Sequence, residues 1–233
     1  MMKFRIRIAE SVIEINSLYK AAADYCGGFA TCEEADFKIT ITEADIEKER
    51  ELSEEAFPPE ILEITAVYRK ICNVLLARNV FLMHGSVVEV NGEAFMFTAL
   101  SGTGKTTHTK LWLKNIPGCS VVNGDKPLIL IKDGRAYACG TPWRGKEKLG
   151  ADKMVPLKAV AILERAEDNS IVQISAAEAL PTIIQQSNRP ESRELMSKTL
   201  ELISQMSKSV KFYSLKCNMQ NEAALVSYKG MKD

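Results

Sequence analysis

Residues 99–107 of the chain read Ala-Leu-Ser-Gly-Thr-Gly-Lys-Thr-Thr, and they lie between a predicted apolar strand (93–99) and a predicted helix (106–114). A glycine-rich turn that joins a strand to a helix is the context in which phosphate-binding loops occur. Gly102 and Gly104 allow the backbone to curl until successive N–H groups face one anion, and the N-terminus of the following helix adds a partial positive charge. The stretch therefore predicts a phosphate site.

Most residues of this predicted phosphate site can be given a role in binding a nucleotide. The predicted nucleotide-binding set is Ser101, Gly102, Thr103, Gly104, Lys105, Thr106 and Thr107. Lys105 would reach the β- and γ-phosphates of a nucleotide, and the Thr106 hydroxyl would bind Mg²⁺. The pattern G-x-x-x-x-G-K-[ST] has glycine where this chain has Ala99, so the first turn must accept a side chain. The alternative interpretation is a glycine-rich turn before an amphipathic helix.

The composition around this motif is that of an ordinary globular chain. The 233 residues are 46% hydrophobic and 26% charged, and 30 basic residues balance 30 acidic ones. A zero net charge gives no support for nucleic-acid or membrane-surface binding, so neither partner is expected. Six scattered cysteines, no Cys-x-x-Cys pair and two histidines exclude a zinc-site pattern. They predict reduced thiols and a cytoplasmic protein.

Hydrophobic periodicity predicts two regions: residues 1–60, a small α+β region, and residues 61–233, a core of the α/β class. The acidic run 43–55 predicts either a solvated linker or an exposed helix. In the core, the apolar runs 160–163 and 171–174 predict a pair of strands joined as a hairpin.

Three segments of the core resemble one enzyme family. Leu100–Thr107 is similar to the phosphate-binding loop of ATP-dependent phosphoenolpyruvate carboxykinases and of HPr kinase/phosphorylases, which share a fold. His84–Gly92 resembles the His-Gly strand and turn before that loop in HPr kinases, and Val121–Lys126 resembles their apolar strand that ends in paired aspartates. The resemblance implies a P-loop core of this type with a mixed sheet, and ATP and Mg²⁺ as cofactors. Because HPr kinases form rings, it leaves a homo-oligomer open.

The resemblance also implies roles for single residues. His84 falls where the family has a histidine that lines the phosphate pocket, and Lys105 and Thr106 match the family's lysine and magnesium-binding hydroxyl. Asp125 matches one of two aspartates, of which one holds the metal and the other accepts the proton of the acceptor hydroxyl. The catalytic residues implied are therefore Asp125, Lys105 and His84, and the metal ligands are Thr106 and Asp125.

The chain departs from the family at the aspartate pair, because Gly124 and Lys126 flank Asp125. One possibility is that Asp125 does one of the two tasks, metal binding or proton acceptance, while Glu147 or Asp133 does the other. The alternative is that the acceptor needs no strong base, since a loose phosphoryl-transfer transition state depends mainly on positioning and charge. Glu164, which ends the apolar run 160–163, is a second candidate metal ligand and ranks below Asp125.

A basic segment, residues 140–148, reads Gly-Thr-Pro-Trp-Arg-Gly-Lys-Glu-Lys after a predicted strand. An arginine fork and two ammonium groups suit a phosphate or carboxylate, and Trp143 could stack on a flat group. Arg144 and Lys146, together with Lys126, are the predicted substrate-binding residues.

The function predicted from these residues is transfer of the γ-phosphoryl group of ATP to a hydroxyl of a small molecule or peptide. A nucleotide-binding regulator with little turnover is the alternative, because of Ala99 and the single aspartate. A phosphoenolpyruvate carboxykinase-like lyase is a weaker alternative, because that enzyme is much longer and needs a Lys/His/Asp metal set, while this chain has two histidines.

Overall fold

The computed structural model describes residues 1–232, which divide into two compact units. The first unit runs from Met1 to Arg78, and the second begins at Asn79. The division differs from the predicted boundary at residue 60, because the helix over residues 59–75 packs against the helices and strands of the first unit. Within the described residues, no helix is both long enough and apolar enough to span a bilayer.

The first unit combines a small sheet with α-helices. The hairpin of β1 (Met2–Ile8) and β2 (Ser11–Ser17) is antiparallel, and β3 (Phe37–Thr40) pairs with β2 in parallel. The helices are α1 (Lys20–Cys26), α2 (Glu43–Leu52) and α3 (Pro59–Leu75). The acidic run is thus a helix, and it begins at a capping box in which Thr42 and Asp45 exchange hydrogen bonds.

The second unit is mixed α/β, as the sequence predicted. Its elements in chain order are β4 (Val80–Leu82), β5 (Ser86–Val90), β6 (Glu93–Thr98), α4 (Lys105–Asn115), β7 (Ser120–Asn123), β8 (Leu128–Lys132), β9 (Arg135–Cys139), β10 (Met154–Arg165), β11 (Ser170–Ile174), α5 (Ala176–Gln186), α6 (Arg193–Met206), β12 (Lys211–Cys217) and α7 (Glu222–Met231). The strands form one mixed sheet in the order β4-β8-β9-β10-β6-β5-β7, and β12 pairs with both β10 and β11.

Strand β10 determines the shape of this sheet because it changes partners along its length. Met154–Pro156 pairs with β9 in antiparallel fashion, and from Leu157 the strand runs parallel to β6 on one side. From Ala159 it also runs parallel to β12 on the other side. The carboxyl ends of β6, β10 and β12 therefore meet at one edge of the sheet, and the loop that precedes α4 leaves from that edge.

The predicted hairpin of residues 160–163 and 171–174 is wrong. These residues lie in β10 and β11, and β12 lies between the two strands, parallel to β10 and antiparallel to β11. The sequence does contain a typical hairpin signal, because the turn dipeptide Asp168-Asn169 lies between the two apolar runs. The space beside β10 is instead filled by a strand that comes more than 40 residues later in the sequence.

Aromatic packing fixes α4 against the sheet. Trp112 is fully buried, with its ring 5.1 Å from that of Phe97 and 5.3 Å from that of Phe95, both on β6. The ring of Tyr228, on α7, meets the indole edge-on with its centroid 5.4 Å away. Because α4 is held on β6 through this cluster, the loop that joins the two elements has fixed ends.

Candidate active site

The loop between β6 and α4, residues 99–104, is called the glycine loop below. Gly102 has a φ of 78° and Gly104 a φ of 122°, values that side-chain-bearing residues rarely adopt. Gly104 is the N-cap of α4, and no described side chain caps the helix there. The first backbone N–H groups of α4 are therefore left for an anion. Ala99 is not among the described residues with positive φ, so its turn accepts a side chain without strain.

Lys105 is the first residue of α4, and its side chain turns back to the glycine loop. Its side chain is only 9% exposed, and its Nζ donates to the carbonyl oxygens of Ala99 (3.0 Å) and Leu100 (3.4 Å). Burial lowers the pKa of Lys105, and the negative charge of Asp125 opposes that shift. The loop and Asp125 are thus electrostatically coupled through this ammonium group.

Arg165, at the end of β10, holds the glycine loop from outside. Its Nε donates to the carbonyl oxygen of Thr103 at 3.1 Å, and its Nη2 donates to that of Gly102. The sequence analysis did not identify Arg165 as a site residue. No local signal could have found it, because the contact depends on the parallel pairing of β10 with β6.

Asp125 and His84 form a pair at the other side of the site. His84 Nε2 and Asp125 Oδ1 are 2.9 Å apart, although the residues are 41 positions apart in the chain. Burial raises the pKa of Asp125, but the hydrogen bond from His84 and the charges of His84, Lys126 and Lys105 outweigh that effect and lower the pKa overall. The carboxylate is therefore ionised at neutral pH.

Asn123 positions the backbone of Asp125. Its Oδ1 accepts from the N–H groups of Asp125 (2.9 Å) and Lys126 (2.8 Å), and its Nδ2 donates to Thr141 Oγ1 (2.9 Å). Asn123 and Thr141 are fully buried. Sequence reasoning missed both residues, and only the position of Asn123 at the end of an apolar strand could have drawn attention to it.

The basic segment 140–148 folds back over Asp125. Gly145 has a φ of 75°, and a Cβ on it would lie 3.0 Å from Asp125 Cβ, so glycine is needed for both conformation and space. Arg144 donates to the carbonyl of Gly150 at 3.0 Å. Trp143 is only 5% exposed, so the predicted stacking platform is wrong: the indole is part of the packing that holds the segment.

These parts line one cleft of about 530 Å³. The predicted residues that line it are His84, Ser101, Gly102, Gly104, Lys105, Thr106, Thr107, Asp125, Arg144 and Lys146. Thr103 and Lys126 are not in this lining, although the charge of Lys126 acts on Asp125.

The alternative acids differ in position. Glu147 lines the cleft and pairs with Lys110 at 3.0 Å, whereas Asp133 lies in the β8–β9 turn, outside the lining. Glu164 lies in a neighbouring hollow on the outer side of the glycine loop. Of these three carboxylates, Glu147 is therefore the one that lines the same cleft as Asp125.

The side chains that line the cleft suit a metal ion that is shared with a substrate. Across residues 1–232 there is no group of three or more His, Cys, Asp or Glu side chains that could hold a metal alone. Mg²⁺, however, is usually bound by one or two carboxylates together with substrate phosphates and water. Thr106 and Asp125, which line the same cleft, fit that mode and not an all-protein cage.

Comparison with known proteins identifies the family. A family model described as "SynChlorMet cassette protein ScmC" matches residues 52–223, well over half of the chain. The chain belongs to this ScmC family. The match covers the glycine loop, the Asp125–His84 pair and the basic segment, so the cleft lies wholly in the part that this ScmC-family chain shares with its family. No protein with a curated function matches the sequence.

Among solved structures, this ScmC-family chain is similar to the HPr(Ser) kinase/phosphatase from Coxiella burnetii. The identity is 7%, the alignment covers 64% of this chain and 95% of that chain, and the TM-score is 0.39. Likeness at this level carries no argument about activity.

Proposed function

We propose that the protein is a Mg²⁺-dependent phosphotransferase that moves the γ-phosphoryl group of ATP to a hydroxyl of a small molecule or peptide, on a P-loop core of the HPr kinase type. The observation that carries the proposal is that the glycine loop with Lys105 and the Asp125–His84 pair line one cleft. The resemblance of residues 84–126 to HPr kinases supports the same reaction.

In this proposal the glycine loop and α4 form the part of the cleft that binds the phosphates. Free N–H groups at the start of α4 bind and orient phosphate oxygens, and Lys105, whose ammonium group contacts the loop, neutralises their charge. Arg165 keeps the carbonyls of Gly102 and Thr103 turned outward, away from an anion. Thr106 and Asp125 would hold Mg²⁺, which supplies charge neutralisation at the transferring group.

The part of the cleft around Asp125 would bind the molecule that accepts the phosphoryl group. His84 occupies Asp125 Oδ1, so Oδ2 is the oxygen left for a metal ion or for the proton of an incoming hydroxyl. The low pKa of Asp125 makes it a better metal ligand than a base, and Glu147 is the further carboxylate in the cleft. Arg144 and Lys146 add positive charge beside it, which suits an acceptor that carries a carboxylate or phosphate.

The transfer is tested with γ-labelled ATP, Mg²⁺ and two acceptor pools, a deproteinised metabolite extract and a peptide fraction. We expect one labelled product that disappears with Lys105→Ala and falls by about 100-fold or more with Asp125→Asn. Lys114→Ala, which removes an exposed lysine from the last turn of the same helix, is the matched control and should transfer normally.

Two results would change the proposal. Transfer that survives Asp125→Asn and is lost with Glu164→Gln would move the metal to the outer hollow. Nucleotide binding without a labelled product in either pool would favour the alternative, a nucleotide-binding regulator, for which the lack of a second aspartate beside Asp125 is the supporting observation.

A further inference from the structure

The hollow on the outer side of the glycine loop, called the outer hollow, has a volume of about 710 Å³. Its walls are residues 99–103 of the loop region, residues 162–165 at the end of β10, and Thr182 and Gln185 of α5. The proposed function leaves this space without a ligand.

The outer hollow adjoins the cleft at the end where the terminal phosphate would lie. Ser101 and Gly102 line both the outer hollow and the cleft, so the two spaces are continuous. Lys105, which is assigned above to the β- and γ-phosphates, donates to the carbonyl oxygens of Ala99 and Leu100. Both of these residues line the outer hollow. A molecule in the outer hollow is therefore next to the phosphoryl group that is transferred.

The outer hollow offers apolar surface together with neutral polar groups. Leu100 is 58% exposed, and the half-buried Ile162 lines the same space. Thr182 and Gln185 add a hydroxyl and an amide, whose side chains have no hydrogen-bond partner among residues 1–232. An aliphatic chain can lie along such a surface while a polar group at its end stays paired or hydrated.

Glu164 gives the outer hollow its negative charge. It is the one carboxylate in the described lining, it is exposed, and within residues 1–232 it forms no ion pair. The guanidinium of the neighbouring Arg165 is directed to the carbonyls of Gly102 and Thr103 instead. A carboxylate beside apolar surface suits an ammonium or guanidinium group on an aliphatic chain.

We propose that the outer hollow binds a cationic group of the phosphoryl acceptor, so that the acceptor carries an ammonium or guanidinium group on an aliphatic chain as well as its hydroxyl; this inference rests on the proposed function. The cation pairs with Glu164, the chain covers Leu100, and the hydroxyl reaches the terminal phosphate beside Asp125. An acidic group of the same molecule would lie in the cleft, beside Arg144 and Lys146. Because Glu164 binds the acceptor and takes no part in the transfer, its loss affects the acceptor KM and not kcat.

The test measures transfer from γ-labelled ATP with Mg²⁺ to acceptors sorted by charge. A metabolite extract and a peptide fraction are each passed over a cation exchanger at about pH 2, where carboxylates are protonated and ammonium groups stay charged. We expect the labelled product to come from a retained pool, and that pool identifies the acceptor as a small molecule or a peptide. With this acceptor, Glu164→Gln should raise KM about fivefold while kcat stays within about twofold. Glu167→Gln, which changes an exposed carboxylate outside the outer hollow and the cleft, is the matched control.

The other results separate this site from the proposed function. Product from the non-retained pools alone, or an unchanged acceptor KM in Glu164→Gln, would overturn the cation site and leave the transferase standing. A loss of kcat at unchanged KM would overturn it as well, because the carboxylate would then act on the transfer and not on the acceptor. If the wild type labels no pool, the proposed function fails and the cation site fails with it.

Discussion

The two sides of the cleft are built in different ways. The glycine loop is continuous in sequence, and its form follows from two glycines with positive φ and the helix that starts after them. The opposite side, called the acid side here, consists of residues 123–126 and 140–150, and hydrogen bonds that the side chains of Asn123 and Thr141 donate and accept hold it together. The difference teaches that one half of a site can be encoded locally while the other exists only after folding.

The largest expected effect follows from removing the side chain that builds the acid side. Asn123→Ala leaves the N–H group of Asp125 without its partner. It also removes one hydrogen bond each from the N–H of Lys126, which still donates to the carbonyl of Trp143, and from the hydroxyl of Thr141, which still donates to the carbonyl of Lys126. We expect the free energy of unfolding to fall by about 3 kcal/mol, because one unsatisfied donor costs about 1–3 kcal/mol and each of the other two lost hydrogen bonds about 0.5–1.5 kcal/mol. Urea denaturation measures the change.

Asn115→Ala is the matched control for that substitution. Asn115 lies at the end of α4, where its Nδ2 donates to the carbonyl of Leu111 and to Asn221 at the surface. We expect its cost to stay below about 1 kcal/mol. Equal costs at positions 115 and 123 would show that the acid side does not depend on its buried amide.

A smaller effect is expected when one glycine on each side of the cleft is replaced by alanine. Gly102 and Gly145 have nearly equal φ values, 78° and 75°, but a Cβ meets nothing within 4 Å at Gly102 and lies 3.0 Å from Asp125 Cβ at Gly145. Alanine at either position pays about 1 kcal/mol for the left-handed backbone. Gly145→Ala should cost about 1 kcal/mol more than Gly102→Ala in the free energy of unfolding, because the basic segment must also move.

Thermal or urea unfolding of the two alanine variants gives this difference directly. If Gly102→Ala proved the more costly of the two, the contact between the basic segment and Asp125 would be too loose to position the carboxylate, and the contrast between the two sides would disappear.

Much of the fold could be predicted because its signals are local. Asn91-Gly92 and Asp133-Gly134 are turn dipeptides of neighbouring residues and join paired strands, and Ser175 and Glu178, three positions apart, form a capping box. The pairing of β12 beside β10 could not be predicted, because it depends on which distant strand covers a free edge. Likewise the helical spacing of the apolar residues of α3 is a local signal, but it leaves open which sheet the helix covers.

The candidate site shows the same limit. The glycine loop and Lys105 could be located from nine consecutive residues, whereas the contact of Arg165 with that loop spans more than 60 positions. At Trp143 the sequence was misleading. A tryptophan among cations suggested a contact with a ligand, but the indole is buried in the protein.

The central claim, that residues 99–107 bind the phosphates of ATP, is tested most directly by thermal unfolding with and without millimolar ATP and Mg²⁺. At 100 times its Kd a ligand stabilises the native state by about 2.7 kcal/mol, which corresponds to a rise in Tm of roughly 5–10 °C for a chain of this size. The account predicts that rise for the wild type and for Lys114→Ala, and a loss of most of it for Lys105→Ala. A wild-type Tm that does not move, or an equal rise in Lys105→Ala, would contradict it.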